Sequence, residues 1–140
     1  MIRQIFSASL FIVTACATQK TETISSMNYL MEPIKVSCAR TALLEQDGFS
    51  VIADVRNIGG SQQFDATFND DLPLKIIVRT QADGTGEVSV FSRISADASP
   101  LKSREAAYAV EAADETIYRQ CTADGKINPG DADVIIEAQE

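Results

Sequence analysis

The sequence predicts an α+β fold, in which two helices pack on one face of a four-stranded antiparallel sheet in the order α-β-β-β-β-α. Three observations support this. A stretch of helix-forming residues near position 40 is followed by four segments of alternating apolar and polar side chains, and a long stretch with helical spacing comes last. Because 140 residues suffice for one hydrophobic core, we expect a single domain over residues 34–140, ending in an acidic tail.

The segment SCARTALLEQDG predicts the first helix, over residues 37–46. Ser37 suits the N-cap of this helix, and Gly48 suits its termination. The alternative is a strand that an Asp47-Gly48 turn would join to FSVIADV as a hairpin. The helix is favoured because Ala, Arg, Leu, Glu and Gln are poor strand formers.

Four segments alternate apolar and polar residues and predict a meander of strands. They are FSVIADVRN, QQFDATF, LPLKIIVRTQ and GEVSVFSRIS, with turns at residues 59–60, 69–71 and 83–86. In the tail, residues 134–136 either add a short edge strand or fray.

The register of the last hairpin follows from the need to place its apolar residues on one face. We predict a three-residue turn of Asp83, Gly84 and Thr85, with Ala82 opposite Gly86. The pairs expected on the core face are Val78 with Val90, Ile76 with Ser92, and Leu74 with Ile94. The pairs expected on the other face are Lys75 with Arg93, Ile77 with Phe91, and Arg79 with Ser89.

The segment SREAAYAVEAADETIYRQC predicts the second helix, with Ser103 as its cap. Apolar residues recur in it at steps of three or four and form one stripe. That stripe comprises Ala106, Val110, Ala113, Ile117 and Cys121. We therefore expect Cys121 to face the core at the end of the helix, where a partner from the first helix can meet it.

The N-terminus has the three-part order of an export signal. MIRQ carries positive charge, IFSASLFIV is mostly apolar, and TAC provides small residues, which predicts a signal peptide over residues 1–15. The apolar run is much shorter than the 20 or so residues that a membrane-spanning helix needs.

The residues VTAC at positions 13–16 resemble the lipobox of bacterial lipoproteins. The resemblance implies that Cys16 is S-acylated and becomes the mature N-terminus, and that residues 16–33 form a lipid-attached tether. In a Gram-negative cell, Ala17 in place of Asp would imply release to the outer membrane, facing the periplasm. Two other interpretations remain: cleavage after Ala17 within ACA, which would discard Cys16, or a buried N-terminal helix.

Three cysteines are an awkward number for an exported protein. Assigning Cys16 to lipid leaves Cys38 and Cys121 as a candidate disulfide, which would close a loop of about 80 residues and stabilise the fold by about 4 kcal/mol. The alternative is a pair of free buried thiols.

Composition excludes several classes of function. The chain has 20 acidic and 12 basic residues, for a formal charge of −8, so we expect no nucleic-acid partner. It has no histidine, which removes the commonest general base and metal ligand. DGKINPGDAD superficially resembles a calcium loop, but that register places Gln120 and Thr122 where carboxylates are needed and lacks the bidentate terminal Glu, so we interpret the segment as a pair of turns. We predict no catalytic residues, metal site or cofactor, and therefore no enzyme.

The face of the sheet without helices is the surface most worth testing. It would expose apolar side chains within a group of cations: Arg56, Lys75, Ile77, Arg79, Phe91 and Arg93. One interpretation is a contact site for an anionic or apolar partner. The other is a solvated face, neutralised by Asp54 and Glu87, with the tether or tail covering Phe91.

The leading functional hypothesis is a lipid-anchored envelope lipoprotein that acts as a periplasmic binding or assembly module. Its expected partners are membrane lipid, through Cys16, and another envelope protein. The alternatives are an anchored periplasmic enzyme and a purely structural envelope component.

Overall fold

Two helices and seven strands make up the part of the chain that the computed structural model describes, which is residues 20–123 and the backbone of residues 134–139. The strands are β1 (Thr21–Leu30), β2 (Phe49–Val51), β3 (Arg56–Ile58), β4 (Ser61–Phe68), β5 (Leu72–Thr80), β6 (Gly86–Ser95) and β7 (Val134–Gln139). The helices are α1 (Val36–Glu45) and α2 (Pro100–Cys121).

All strands pair antiparallel in one sheet of order β2-β4-β5-β6-β1-β7. The short strands β2 and β3 both pair with β4, β2 at its end and β3 at its start, so seven strands occupy six positions. The predicted α+β class, with two helices and an antiparallel sheet, is confirmed. The predicted number of four strands is wrong, because the sheet also recruits β1 and β7 and divides the first predicted strand into β2 and β3.

β1 corrects the interpretation of residues 16–33 as a tether. Residues 21–30 form a strand that pairs with β6 on one side and β7 on the other. The alternation in this strand is difficult to see in the sequence because two of the residues on its helix-facing side, Ser26 and Asn28, are polar and stand between Ile24 and Leu30. β7 pairs with the first half of β1 and is the edge strand expected in the tail.

The core lies between the sheet and the helix layer. α2 packs against β1 and β6, while α1 packs against α2 and β2. The strands contribute alternate residues to this core, and the helices contribute one stripe each. Its fully enclosed members include Ile24, Leu43, Phe64, Leu72, Ile76, Val90, Val110 and Ile117.

α2 begins earlier than the sequence predicts. Its N-cap is Ser99, whose hydroxyl accepts a hydrogen bond from the Lys102 backbone N–H at 3.2 Å, and Pro100 follows at the first helical position. The predicted cap, Ser103, lies inside the first turns. The stripe predicted for this helix is confirmed: Ala106, Val110, Ala113 and Ile117 are buried and Cys121 is partly buried.

α1 lies within one residue of its predicted bounds, but its N-cap also differs. The structure places Lys35 there, without a side-chain cap, and Ser37 is exposed in the first turn.

The hairpin of β5 and β6 has the predicted faces and a different register. Val78 pairs with Val88 and Ile76 with Val90, a shift of two residues from the predicted pairs. The backbone N–H of Gln81 donates to the carbonyl of Thr85 at 2.7 Å, so the three-residue loop is residues 82–84. The reason is Gly84, whose φ of 86° suits the last position of such a loop and not the middle position assigned to it from the sequence.

Candidate interaction surface

Cys16 and the predicted signal peptide lie outside the described residues, as does the whole DGKINPGDAD segment. Acylation of Cys16 therefore stays a prediction.

We call the side of the sheet that faces away from both helices the open face. The strand register places all six predicted residues on this face. Each lies on β3, β5 or β6 at a position whose side chain points away from the core. β5 contributes Lys75, Ile77 and Arg79, while β6 contributes Phe91 and Arg93. β3 contributes Arg56, opposite Gln63 of β4, and Gln63 in turn pairs with Ile77.

Lys75 and Phe91 form the centre of the open face. They stand directly opposite each other, and the Lys75 ammonium lies 5.8 Å from the centroid of the Phe91 ring. This is a cation–π contact, which partly shields the apolar ring while leaving the charge accessible. The predicted opposition of Lys75 and Arg93 is wrong, because the register shift moves Phe91 into that place.

Two of the four cations on the open face are paired with carboxylates. Arg56 contacts Asp65 at 2.9 Å, and Arg79 lies 3.8 Å from Glu87. The paired Glu87 is 7% exposed and also accepts a hydrogen bond from the Gln81 amide at 2.6 Å. Among the described residues, Lys75 and Arg93 make no ion pair, so the free positive charge of this face is concentrated on them.

The neutralisation expected from the sequence is met only in part. Glu87 does pair with Arg79, whereas Asp54 lies 4.0 Å from Arg40, a residue of α1, and contributes nothing to the open face. The neutralising partner on β4, Asp65, was not identified in the sequence because it depends on the pairing of β3 with β4.

β1 adds residues to the open face that sequence reasoning missed. Ser25 stands opposite Phe91, and the neighbouring odd-numbered positions place Met27 and Tyr29 in the same row. Met27 and Tyr29 are exposed, so they extend the apolar part of the open face. β1 therefore lies beside Phe91 and does not cover it. Because residues 16–33 were interpreted as a tether, their strand alternation was not used.

A crevice of about 300 Å³ opens where β1 ends and α2 terminates. Residues 29–34 form one wall, and Tyr118 and Cys121 stand on the other. The chain after β1 crosses so close to β6 that a Cβ on Gly86 would lie 2.7 Å from the Cα of Pro33. Most of the described residues that line it are apolar or aromatic in type, and Glu32 is the one carboxylate among them.

Asp114 is a buried carboxyl group between α2 and the sheet. Its side chain is 1% exposed, and Asn28 of β1 donates a hydrogen bond from Nδ2 to its Oδ2. Burial raises the pKa of Asp114 to about 7, and the nearby Ser26 hydroxyl offsets this only in part. The surrounding crevice encloses no space for a water molecule, so Asp114 has no room to act on a substrate.

Cys38 and Cys121 form a disulfide, with their Cα atoms 5.9 Å apart. It joins the first turn of α1 to the last residue of α2, beside the crevice.

Within residues 20–123 and 134–139, no group of three acidic or cysteine side chains is arranged to hold a metal ion. None of the helices described is long and apolar enough to span a membrane. Comparisons with protein-family models, with curated proteins and with solved structures give no match for this chain. What the protein does must therefore be inferred from its own residues.

Proposed function

We propose that this chain is an envelope lipoprotein, anchored through acylated Cys16, whose domain acts as a binding or assembly module through its open face. The observation that carries the proposal is a sheet face left uncovered by both helices, on which Ile77 and Phe91 stand beside Lys75 and Arg93, two cations without an ion pair to a described residue. A solvated sheet face normally carries polar side chains at such positions.

The N-terminal sequence and the disulfide support the same location. A signal of the lipobox type delivers a protein out of the cytoplasm, and disulfides persist in oxidising compartments such as the periplasm. The bond between Cys38 and Cys121 is consistent with such a compartment. In a Gram-negative cell, the protein would then be retained at the outer membrane and face the periplasm.

The partner we expect is another envelope protein with an anionic rim and an apolar centre. Lys75 and Arg93 would attract the rim, while Ile77, Phe91 and Met27 would provide the apolar contact. Arg79 and Arg56 are already held by carboxylates and would contribute less.

Photo-crosslinking in cells tests the open face. A photoreactive residue replacing Phe91 should give one discrete adduct with an envelope protein, whereas the same residue replacing Leu44 should not. Leu44 is an exposed apolar residue of α1, on the helix layer, and is therefore a matched control. Identical adducts from both positions, or none from Phe91, would contradict the proposal.

Charge reversal refines this test. With the photoreactive residue at position 77, Arg93→Glu should reduce adduct yield about tenfold, because a like-charged contact weakens binding by about 1.4 kcal/mol or more. Lys35→Glu is the matched control, since Lys35 is an exposed cation at the start of α1 that makes no ion pair with a described residue. Equal reductions in adduct yield from both variants would indicate that binding depends on the total charge of the protein and not on a site on the open face.

The anchor is tested separately with Cys16→Ser. This variant should accumulate as an uncleaved precursor without added acyl mass, as measured by mass spectrometry of the N-terminal peptide. Normal cleavage at residue 16 would rule out the lipobox.

A further inference from the structure

The start of the folded domain lies very close to Cys16. The Ala96 backbone N–H donates to the Lys20 carbonyl at 2.9 Å, and Thr21 then pairs with Ser95 of β6, so the chain is fixed from Lys20 onward. Only four peptide units separate Cys16 from Lys20. A fully extended chain of that length covers at most about 14 Å.

This short connection restricts how an anchored domain can face a bilayer. The ten residues of β1 rise about 30 Å, so Leu30 lies far from Lys20. α2 runs in the same direction, since Pro100 follows the end of β6 while Cys121 lines the crevice beside Leu30. If the crevice end faced the membrane, Lys20 would be about 30 Å from it, which is beyond the reach of four residues.

Exposed apolar side chains mark the near end of the domain. Leu101 is 74% exposed and Tyr108 is 63% exposed, and both lie on the first half of α2. Seven residues make almost two helical turns, so the two side chains share one face, with the exposed Arg104 between them. The Tyr108 ring packs 5.8 Å from Phe68, at the end of β4 that lies beside the start of β5.

We propose that α2 meets the bilayer that holds Cys16 with its N-terminal end, through Leu101, Arg104 and Tyr108. This inference rests on the proposed function, in that it requires Cys16 to be acylated. Leu101 enters the acyl boundary, the Tyr108 ring lies at headgroup level, and Arg104 pairs with lipid phosphate. The crevice formed by residues 29–34 then points away from the membrane.

Few contacts suffice because the tether supplies a high local concentration. A short linker turns the second binding event into an intramolecular one, so side chains that bind lipid weakly on their own remain bound. The formal charge of −8 disfavours anionic lipid, so a zwitterionic surface fits better.

Tryptophan reporters test the orientation, since the chain has no natural tryptophan. Leu101→Trp and Tyr29→Trp are matched, because both residues are 74% exposed and they lie at opposite ends of the domain. Each acylated mature variant, which begins at Cys16, is reconstituted in phosphatidylcholine vesicles with brominated acyl chains, which quench tryptophan in the membrane. We expect about a twofold loss of fluorescence for Leu101→Trp and no loss for Tyr29→Trp.

Equal quenching at the two positions, or no quenching at either in vesicle-bound protein, would overturn the proposed orientation. The Leu101→Trp variant without residues 1–16, which lacks both the apolar signal segment and the acylated cysteine, should stay unquenched, and quenching there would overturn the role assigned to the tether. The mass of the N-terminal peptide is measured on the same samples. A missing acyl group would refute the lipid anchor itself, and with it the orientation, whereas an acylated protein with the wrong quenching pattern refutes the orientation alone.

Discussion

Asp114 is a residue whose surroundings favour its neutral form. It lies in α2 against Ser26 and Asn28 of β1, and the residues that close the crevice around it, Leu30, Val88, Ile117 and Tyr118, are largely apolar. Its Oδ1 atom makes no hydrogen bond to any described residue, and neither does the Ser26 hydroxyl. The Ser26 hydroxyl can hydrogen-bond to either form of Asp114, so it is burial among apolar side chains that disfavours the ionised form.

Asp114→Asn should therefore stabilise the protein at neutral and alkaline pH. A pKa raised to about 7 means that the native state holds a proton that the unfolded state loses near pH 4, so the free energy of unfolding falls as pH rises between these values. Above pH 8, the buried charge of Asp114 lowers the free energy of unfolding of wild type by about 4 kcal/mol. Asparagine carries no charge and avoids this loss, while it still accepts the hydrogen bond from Asn28.

Urea unfolding from pH 4 to pH 8 measures this difference. The gain from Asp114→Asn should be small at pH 4 and grow to its full size by pH 8. Glu111→Gln, which removes an exposed carboxylate from the same helix, controls for the loss of one negative charge. A gain that is equal at all pH values would contradict the assigned cause.

The spacing of residues in α2 already indicates that Asp114 is buried. Asp114 follows Val110 by four residues and precedes Ile117 by three, so it belongs to the buried stripe. Helical spacing predicted the four buried apolar members of that stripe correctly. Helical spacing could not show that Asp114 faces polar residues of β1, because β1 was not identified in the sequence.

At the scale of the element, α2 shows why a helix boundary is difficult to predict. Two serines four residues apart both precede helix-forming sequence, and only the structure distinguishes them. Ser99 has extended backbone angles and caps Lys102, while Ser103 donates its backbone N–H within the helix to the Ser99 carbonyl at 3.1 Å.

Ser99→Ala should lower the free energy of unfolding by about 1 kcal/mol, because it removes the hydrogen bond that caps Lys102. Ser103→Ala is the matched control and should change stability by less than about 0.5 kcal/mol, since alanine is the better helix former inside a helix. Thermal unfolding of both variants measures the difference. A larger loss from Ser103→Ala would mean that the helix begins where the sequence alone places it.

For the strands too, the sequence predicts which side chains face the core but not how neighbouring strands are aligned. Alternation placed Leu74, Ile76 and Val78 on the core face correctly, because strand faces depend only on parity. Register depended on one backbone angle, that of Gly84, which the sequence does not reveal. The six residues of the open face were therefore predicted together, but their mutual contacts were not.

At the scale of the whole molecule, the sheet and the helix layer are held together differently. Backbone hydrogen bonds join the strands across the entire sheet, from β2 to β7. The helix layer depends on packing, and α1 has only ten residues, fewer than an isolated helix needs to be stable in water. The disulfide between Cys38 and Cys121 is the one covalent link in the described structure between α1 and α2 other than the chain itself.

Removing this disulfide should destabilise the whole domain. The two cysteines are 83 residues apart in sequence, and closing a loop of that length stabilises a fold by about 4 kcal/mol through the entropy of the unfolded chain. Wild type should therefore lose about 2 to 4 kcal/mol of unfolding free energy in dithiothreitol, measured with urea. The Cys38→Ala/Cys121→Ala variant should show the same loss without reductant and no response to it. If thiol titration proved the bond reduced and wild-type stability were unchanged, packing alone would hold α1 in place, and the link between the helices would be dispensable.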